Sequence, residues 1–297
     1  MIFQFIKDYN SERWTIELMC KVLKVSRSAY YSWLVDPLGA RGRKCQELDQ
    51  KIKDAYFQAR GRNGSPRLAM DLKMAGTKVS RPTVAKHMRQ IGLRSKLSKR
   101  FKVTTESSHK YKVAPNLLNR DFYREEPVEA CVSDITYAPC LDGFLYLTTV
   151  LDLCDRKPIG WAISDSLGAS STVLPAIRMA NRNRPFKEGM IFHSDRGIQY
   201  ASKQTVNVLK SLNVVQSMSR KGNCWDNAVA ESFFKSFKSE LIKGAKLRTK
   251  DEMALYIFEY IESWYNHKRR FSALDNLTIE EFWERYWSRK ETFMNVA

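Results

Sequence analysis

An α/β core on a mixed sheet, preceded by an all-α segment and followed by a helical one, is the fold the sequence predicts. Three observations predict it. Runs rich in Val, Ile, Thr, Tyr and Leu at 130–138 and 144–153 flank Asp142-Gly143, a hairpin signal, and strand-like and helix-like stretches then alternate as far as residue 241. Before residue 120 the apolar residues recur instead at helical spacing. Charge divides the chain along the same line: residues 1–120 hold 26 Lys/Arg against 9 Asp/Glu, residues 121–240 hold 14 of each, and residues 241–297 hold 10 against 9.

Taken in order, Ile16, Leu18, Met19 and Val22 mark a helix, Leu23-Lys24-Val25 a turn, and Ser26 the cap of a second helix through Ala29, Tyr30, Trp33 and Leu34, stopped at Asp36-Pro37. Ser65-Pro66 opens another helix through Leu68, Ala69 and Leu72; Gly76 ends it, and Ser80 caps the next, which runs through Val84, Met88 and Ile91 to Gly92. The tetrapeptide Lys24-Val25-Ser26-Arg27 returns as Lys78-Val79-Ser80-Arg81, which suggests two helix-turn-helix units but is too short to establish a repeat; plain helical hairpins without DNA contact stay open, more so for the first unit than for the second. Past the hairpin come a strand at 159–164, a helix at 169–181, a strand at 189–193, a helix at 202–212, a strand at 214–218, a loop at 219–225 and a long helix at 226–241. A further amphipathic helix at 250–266 and an aromatic-rich end complete the chain. The expected domains are 1–60 (helical), 61–120 (basic helix-turn-helix and linker), 121–242 (core) and 243–297 (helical).

Composition narrows the function. At 43% hydrophobic residues the chain can build a core, and no apolar run approaches the ~18–20 residues that cross a bilayer. Six cysteines form no C-x-x-C pair and four histidines lack zinc-finger spacing, so reduced thiols in a cytoplasmic protein are expected, with no membrane partner. Ten Lys/Arg and no acid stand between Asp71 and Glu106, the footprint of a surface that neutralises phosphates. A polyanion is the expected partner, double-stranded DNA where the helix-turn-helix reading holds, with Arg81, Lys86 and Arg89 on the capped helix and Lys99 and Arg100 beyond it as candidate contacts.

Three acids stand where chemistry can gather. Asp134 interrupts an apolar strand, where a charge is costly unless it meets a metal or a partner. Asp195 follows the carboxyl end of a strand, the edge where open α/β sheets place their sites. Glu231 shares a helix face with Asn227, Lys235 and Lys238, an arrangement suited to metal and phosphate because oxygen ligands select Mg²⁺ or Mn²⁺. Plainer roles stay open: an exposed Glu231–Lys235 pair, a solvated lysine face, a packed His193, and Trp225 as either a core anchor or a DNA contact.

The 35 residues between Asp195 and Glu231, with Asp134, resemble the DDE triad of retroviral-type integrases and transposases. Asp-Ile-Thr-Tyr, His-Ser-Asp-Arg-Gly-Ile-Gln-Tyr, Cys-Trp-Asp-Asn-Ala-Val-Ala-Glu-Ser-Phe-Phe and Tyr265-Asn266…Arg269-Arg270…Leu274 are similar to the second-frame transposase protein of bacterial insertion sequences whose full transposase is a frameshift fusion. Gly64-Ser65-Pro66-Arg67 with Val79-Ser80 is similar to that family's helix-turn-helix segment. Cys131, Ser133, Phe271 and Ile279 depart from the family's usual Trp, Thr, His and Pro, and none is an acid of the triad. The resemblance implies an RNase H-like core with a five-stranded mixed sheet. It also implies metal-dependent DNA cleavage and strand transfer with two divalent ions, Asp134 bridging them and Asp195 and Glu231 each holding one. Lys235 and Lys238 would position phosphates, and Asn227 would contact substrate or support the metal ligands. An oligomer on DNA and a first-frame protein or fusion are the implied partners. Competing with this are a DNA-binding regulator with a silent core and a recombinase using Tyr265 near Arg269 and Arg270 as nucleophile.

Overall fold

The computed structural model describes residues 2–95 and 111–294, divided into one unit ending at Ser95 and a second beginning at Lys96. Lys99 and Arg100 lie outside the described residues.

In the first unit, α1 (Ile2–Tyr9), α2 (Ile16–Val22) and α3 (Arg27–Val35) close on Ile6, Met19, Cys20 and Tyr30. The helices α4 (Gly39–Gln58), α5 (Ser65–Met74) and α6 (Arg81–Gln90) close on Ile52, Leu68, Leu72, Val84 and Met88. The domain boundary expected at residue 60 therefore falls inside one packed cluster, because α4 lies before it and supplies Ile52. The recurring tetrapeptide has a physical basis in capping. Ser26 and Ser80 accept from the backbone N–H three residues on, at Ala29 and Thr83. Val25 and Val79, just before the caps, pack on the clusters that hold Tyr30 and Val84, the staple positions of each helix.

The second unit is built on a five-stranded sheet, β1 (Ala130–Cys140), β2 (Gly143–Asp152), β3 (Pro158–Ser164), β4 (Ile191–Ser194) and β5 (Val215–Met218), in the order β3-β2-β1-β4-β5. The first three strands are antiparallel, and β4 and β5 join in parallel with β1, the mixed sheet the sequence predicts. The helices α7 (Val173–Asn183), α8 (Ile198–Ala201) and α9 (Lys203–Ser211) precede β5, and the core joins Val150, Ile159, Val173, Ala176, Ile177, Phe192, Tyr200 and Leu209.

Two helices differ from expectation. Instead of one helix over 226–241, a 3₁₀ turn (Cys224–Asn227) leads into α10 (Ala228–Phe237) and a π turn (Lys238–Ile242). The stretch 250–266 divides into α11 (Lys250–Phe258) and a second π turn (Glu259–Tyr265). Buried Glu240, in the first π turn, accepts hydrogen bonds from the Tyr260 hydroxyl (3.1 Å) and Trp264 Nε1 (3.0 Å) of the second, and from Arg269 Nε (3.3 Å). The last helix, α12 (Ile279–Met294), is tied to the core by Trp283 Nε1 donating to Asp155 (2.7 Å) and the Tyr286 hydroxyl donating to Glu126 (2.7 Å). No helix among the described residues is long and apolar enough to cross a membrane.

Candidate active site and nucleic-acid interface

Strand register brings the first two acids together. The parallel ladder between β1 and β4 ends at the pair Ser133 and Ser194, so Asp134 and Asp195 are the next residues of adjacent strands, at the point where β4 stops. Strand β1 runs on to Cys140 without β4 beside it, which leaves an open edge there. Helix α10 packs against β1 and carries Glu231. All three acids are half-buried.

Their charges are felt. Burial first, then the charge of Asp195, push the Asp134 carboxyl well above the usual carboxylate range; Glu231 adds to this, while the Ile135 N–H (2.8 Å) and Lys238 oppose it. Burial also raises Glu231. Lys238, half-buried, has its ammonium 5.0 Å from the Tyr137 ring centroid; burial lowers its pKa and the charge of Asp134 opposes that. Lys235 is exposed.

The supporting contacts are fixed. Asp195 Oδ1 accepts from the Gly197 N–H at 2.9 Å, and a Cβ on Gly197 would stand 2.9 Å from that same oxygen. Asn227 is only 3% exposed and donates through Nδ2 to the Ser133 carbonyl (3.1 Å). It was expected either to contact substrate or to support the metal ligands; burial against β1 rules out the first as placed and makes it a brace for the strand that carries Asp134. The Ser133 hydroxyl bonds the Tyr200 hydroxyl at 2.8 Å, both buried.

Asp226, fully buried, is a member that sequence patterns missed. It accepts from the Arg220 N–H (2.9 Å), Arg220 Nε (2.8 Å), Arg120 Nε (2.8 Å) and Asn116 Nδ2 (3.0 Å), and the Arg220 hydrogen bond holds its carboxyl well below the usual range. This clamp closes the loop that leads into α10. Trp225 beside it is 69% exposed, which removes the core-anchor role. His193 takes the packed role: fully buried between Ser217 (2.8 Å) and Ser219 (3.1 Å), it is lowered by burial to about 4. Tyr265 is buried against Phe233, ring centroids 4.7 Å apart, and Arg270 is held by Glu281, so a tyrosine nucleophile has no open path to DNA.

Among the described residues no three His, Cys, Asp or Glu side chains stand in ready coordination geometry. The donor chemistry nonetheless fits a hard divalent cation: two acids stand where the β1–β4 ladder ends, the third lies on α10, which packs on β1, and their mutual repulsion is what a cation relieves. In the first unit, Arg81, Lys86 and Arg89 are exposed on α6, opposite its buried face of Val84, His87 and Met88. His87 Nδ1 lies 2.7 Å from Asp49 Oδ1, joining α6 to α4.

An RNase H-like sheet order with two acids where the β1–β4 ladder ends defines the class, the polynucleotidyl transferases with an integrase core. Integrase core domain models match residues 124–224 and 231–285, and an HTH-like domain model matches residues 43–101. The chain is 38% identical over 284 residues to transposase InsF for insertion sequence IS3A of Escherichia coli K12, covering 95% of this chain and 98% of that protein. It is 37% identical over 268 residues to a 31 kDa protein of insertion element IS600 from Shigella sonnei, covering 90% and 98%. The HTLV-2 integrase catalytic core, solved in complex with magnesium, shares 12% identity at a TM-score of 0.39, covering 52% of this chain and 96% of that one. The chain belongs to the IS3 family of insertion-sequence transposases.

Proposed function

We propose that this transposase cleaves and joins DNA at the ends of its insertion sequence through a site in which Asp134, Asp195 and Glu231 hold Mg²⁺ or Mn²⁺. The observation that carries this reading is the ending of the β1–β4 ladder at Ser133 and Ser194, which leaves Asp134 and Asp195 side by side with α10 packed on β1. A divalent ion, when bound there, supplies Lewis-acid activation and neutralises charge on the phosphodiester. The chain's own groups do the rest. Lys238 sits close enough to Asp134 to sense its charge and offers a cation to a phosphate, and exposed Lys235 one turn back extends that cationic face. Gly197 and Asn227 hold Asp195 and β1 in place. DNA is captured by α6 through Arg81, Lys86 and Arg89, with Lys99 and Arg100 continuing the basic run of the sequence, the α4–α6 cluster serving as the docking domain and residues 121–242 as the catalytic one. Two element ends must be joined, which calls for an oligomer on DNA, and a first-frame protein or fusion would complete end recognition.

The test is cleavage and strand transfer on element-end DNA by this chain. Activity is expected with Mg²⁺ or Mn²⁺ and not with Ca²⁺, whose looser geometry suits the reaction poorly. Undiminished activity in EDTA would overturn the metal site. End-specific binding with no cleavage in any divalent ion would make the chain a regulator.

A further inference from the structure

Ser133 stands at the meeting point of the elements that carry the three acids. Its own strand supplies Asp134 as the next residue. Its hydroxyl bonds the hydroxyl of Tyr200 at 2.8 Å, on the short helix α8 that begins three residues after Asp195. Its carbonyl accepts from Asn227 Nδ2 at 3.1 Å, four residues before Glu231. Exposure of Ser133, Tyr200 and Asn227 is 0%, 1% and 3%, so none can touch DNA as placed, and water does not compete for these bonds. Asn227 Oδ1 is buried with no hydrogen-bond partner, so the amide stays on the Ser133 side at the cost of an orphaned acceptor. Burial pushes the Tyr200 hydroxyl well above its usual pKa, and the charges of Asp134 and Asp195 add to this.

We propose that Ser133, Tyr200 and Asn227 form a positioning node that sets the spacing of Asp134, Asp195 and Glu231 for the divalent ion. The proposal rests on the metal reading above. The physical reason for such a node is that the three acids repel one another, while Asp195 stands past the end of the β1–β4 ladder and Glu231 on α10, so the ladder alone does not hold either in place. A hydrogen bond from the strand to each of the other two elements fixes both distances at one residue. Supporting contacts of this kind act on metal affinity more than on folding, because the carboxylates remain present but are held in the wrong places.

The test uses the full chain with Mn²⁺ as probe, its affinity measured by electron paramagnetic resonance of the free ion well below the melting temperature. Tyr200→Phe removes the hydroxyl and keeps the ring that packs 6.5 Å from Phe192, so core volume is conserved. Tyr200→Phe and Ser133→Ala are expected to weaken Mn²⁺ binding by about tenfold or more, with Ser133→Thr, which restores the hydroxyl, returning it to within about threefold of the unaltered chain. Cleavage by Tyr200→Phe should reach half its maximum at a correspondingly higher Mn²⁺ concentration and recover as the ion is raised. Unchanged Mn²⁺ affinity in both variants, with the unaltered chain still metal-dependent, would overturn the node and leave the metal site standing. Loss of the fold in both variants would also overturn it, since the bonds would then serve stability alone. An unaltered chain that cleaves in EDTA and binds no Mn²⁺ would overturn node and metal site together.

Discussion

Asp134 is held in a sheet beside two other carboxylates, which burdens the fold in the absence of a cation and prepares the site for one. Removing its charge should separate the two effects. Asp134→Asn is expected to abolish strand cleavage, leave DNA affinity unchanged and raise the melting temperature of the metal-free chain at neutral pH; calorimetry without divalent ions would show the rise, and a fall would contradict the repulsion. Asp195→Asn and Glu231→Gln should match it in activity. Asp226 works in the opposite sense. Its carboxyl is held low by Arg220 and Arg120, so its contribution to stability is complete above the ordinary carboxylate pKa of ~4 and is lost as pH falls through the depressed native value. Asp226→Asn should therefore cost about 2–3 kcal/mol at neutral pH, where charge-assisted hydrogen bonds to a buried group are lost, and less in acid. Urea unfolding at pH 7 and at pH 3 would check it, and an equal loss at both would exclude the ionised clamp. Asp134, Asp195 and Glu231 were legible in the sequence because a charge in an apolar run and an acid at a strand end are local anomalies. Asp226 was not, since its partners Arg120 and Asn116 lie more than a hundred residues away and their approach depends on the fold.

Strands and helix caps were equally legible, as the β1–β2 hairpin and the capping serines Ser26 and Ser80 show, because period and capping are short-range properties. The break in α10 was not. The apolar stripe of Ala230, Phe234, Phe237 and Leu241 continues across it, and the π turn at Lys238–Ile242 is set by Glu240 meeting Tyr260, Trp264 and Arg269 from distant segments. The division at residue 60 misled for a related reason: α4 reads as a polar helix, and its one fully buried apolar residue, Ile52, gives no sign of which neighbours it joins. Helix packing also explains a glycine whose need the sequence conceals. A Cβ on Gly160 in β3 would lie 2.2 Å from the Ala176 carbonyl oxygen and 2.6 Å from Ala180 Cβ, so α7 rests directly on the strand. Gly160→Ala should therefore destabilise the second unit by at least about 1–3 kcal/mol through overpacking. Thermal unfolding followed by near-ultraviolet circular dichroism would show it, and an unchanged midpoint would mean that α7 can retreat without loss.

Charge divides the proposed tasks along the sequence: capture is assigned to the cation-rich residues 1–120 and chemistry to the segment that carries the three acids. With 26 basic against 9 acidic side chains in residues 1–120 and equal numbers in residues 121–240, a cation-rich catalytic surface would neutralise the carboxylates that need a metal. Keeping the basic residues in a separate segment of the sequence avoids that competition. A fragment of residues 1–110 should accordingly carry most of the DNA affinity of the full chain, and a fragment of residues 111–297, which keeps Asn116 and Arg120 on Asp226, should bind weakly. If roughly 4–6 phosphates are contacted, the logarithm of affinity should fall against the logarithm of salt with a slope near −4 to −5. Within the first fragment, Arg81→Ala or Lys86→Ala on the exposed face of α6 should weaken binding to element ends, whereas Lys99→Ala or Arg100→Ala should weaken binding to all sequences alike and flatten the slope by about one unit each. Fluorescence anisotropy across a salt series measures every one of these quantities. Equal affinity of the 111–297 fragment and the full chain, with a flat salt response, would place DNA capture on the catalytic unit and make the basic segment a solvated surface.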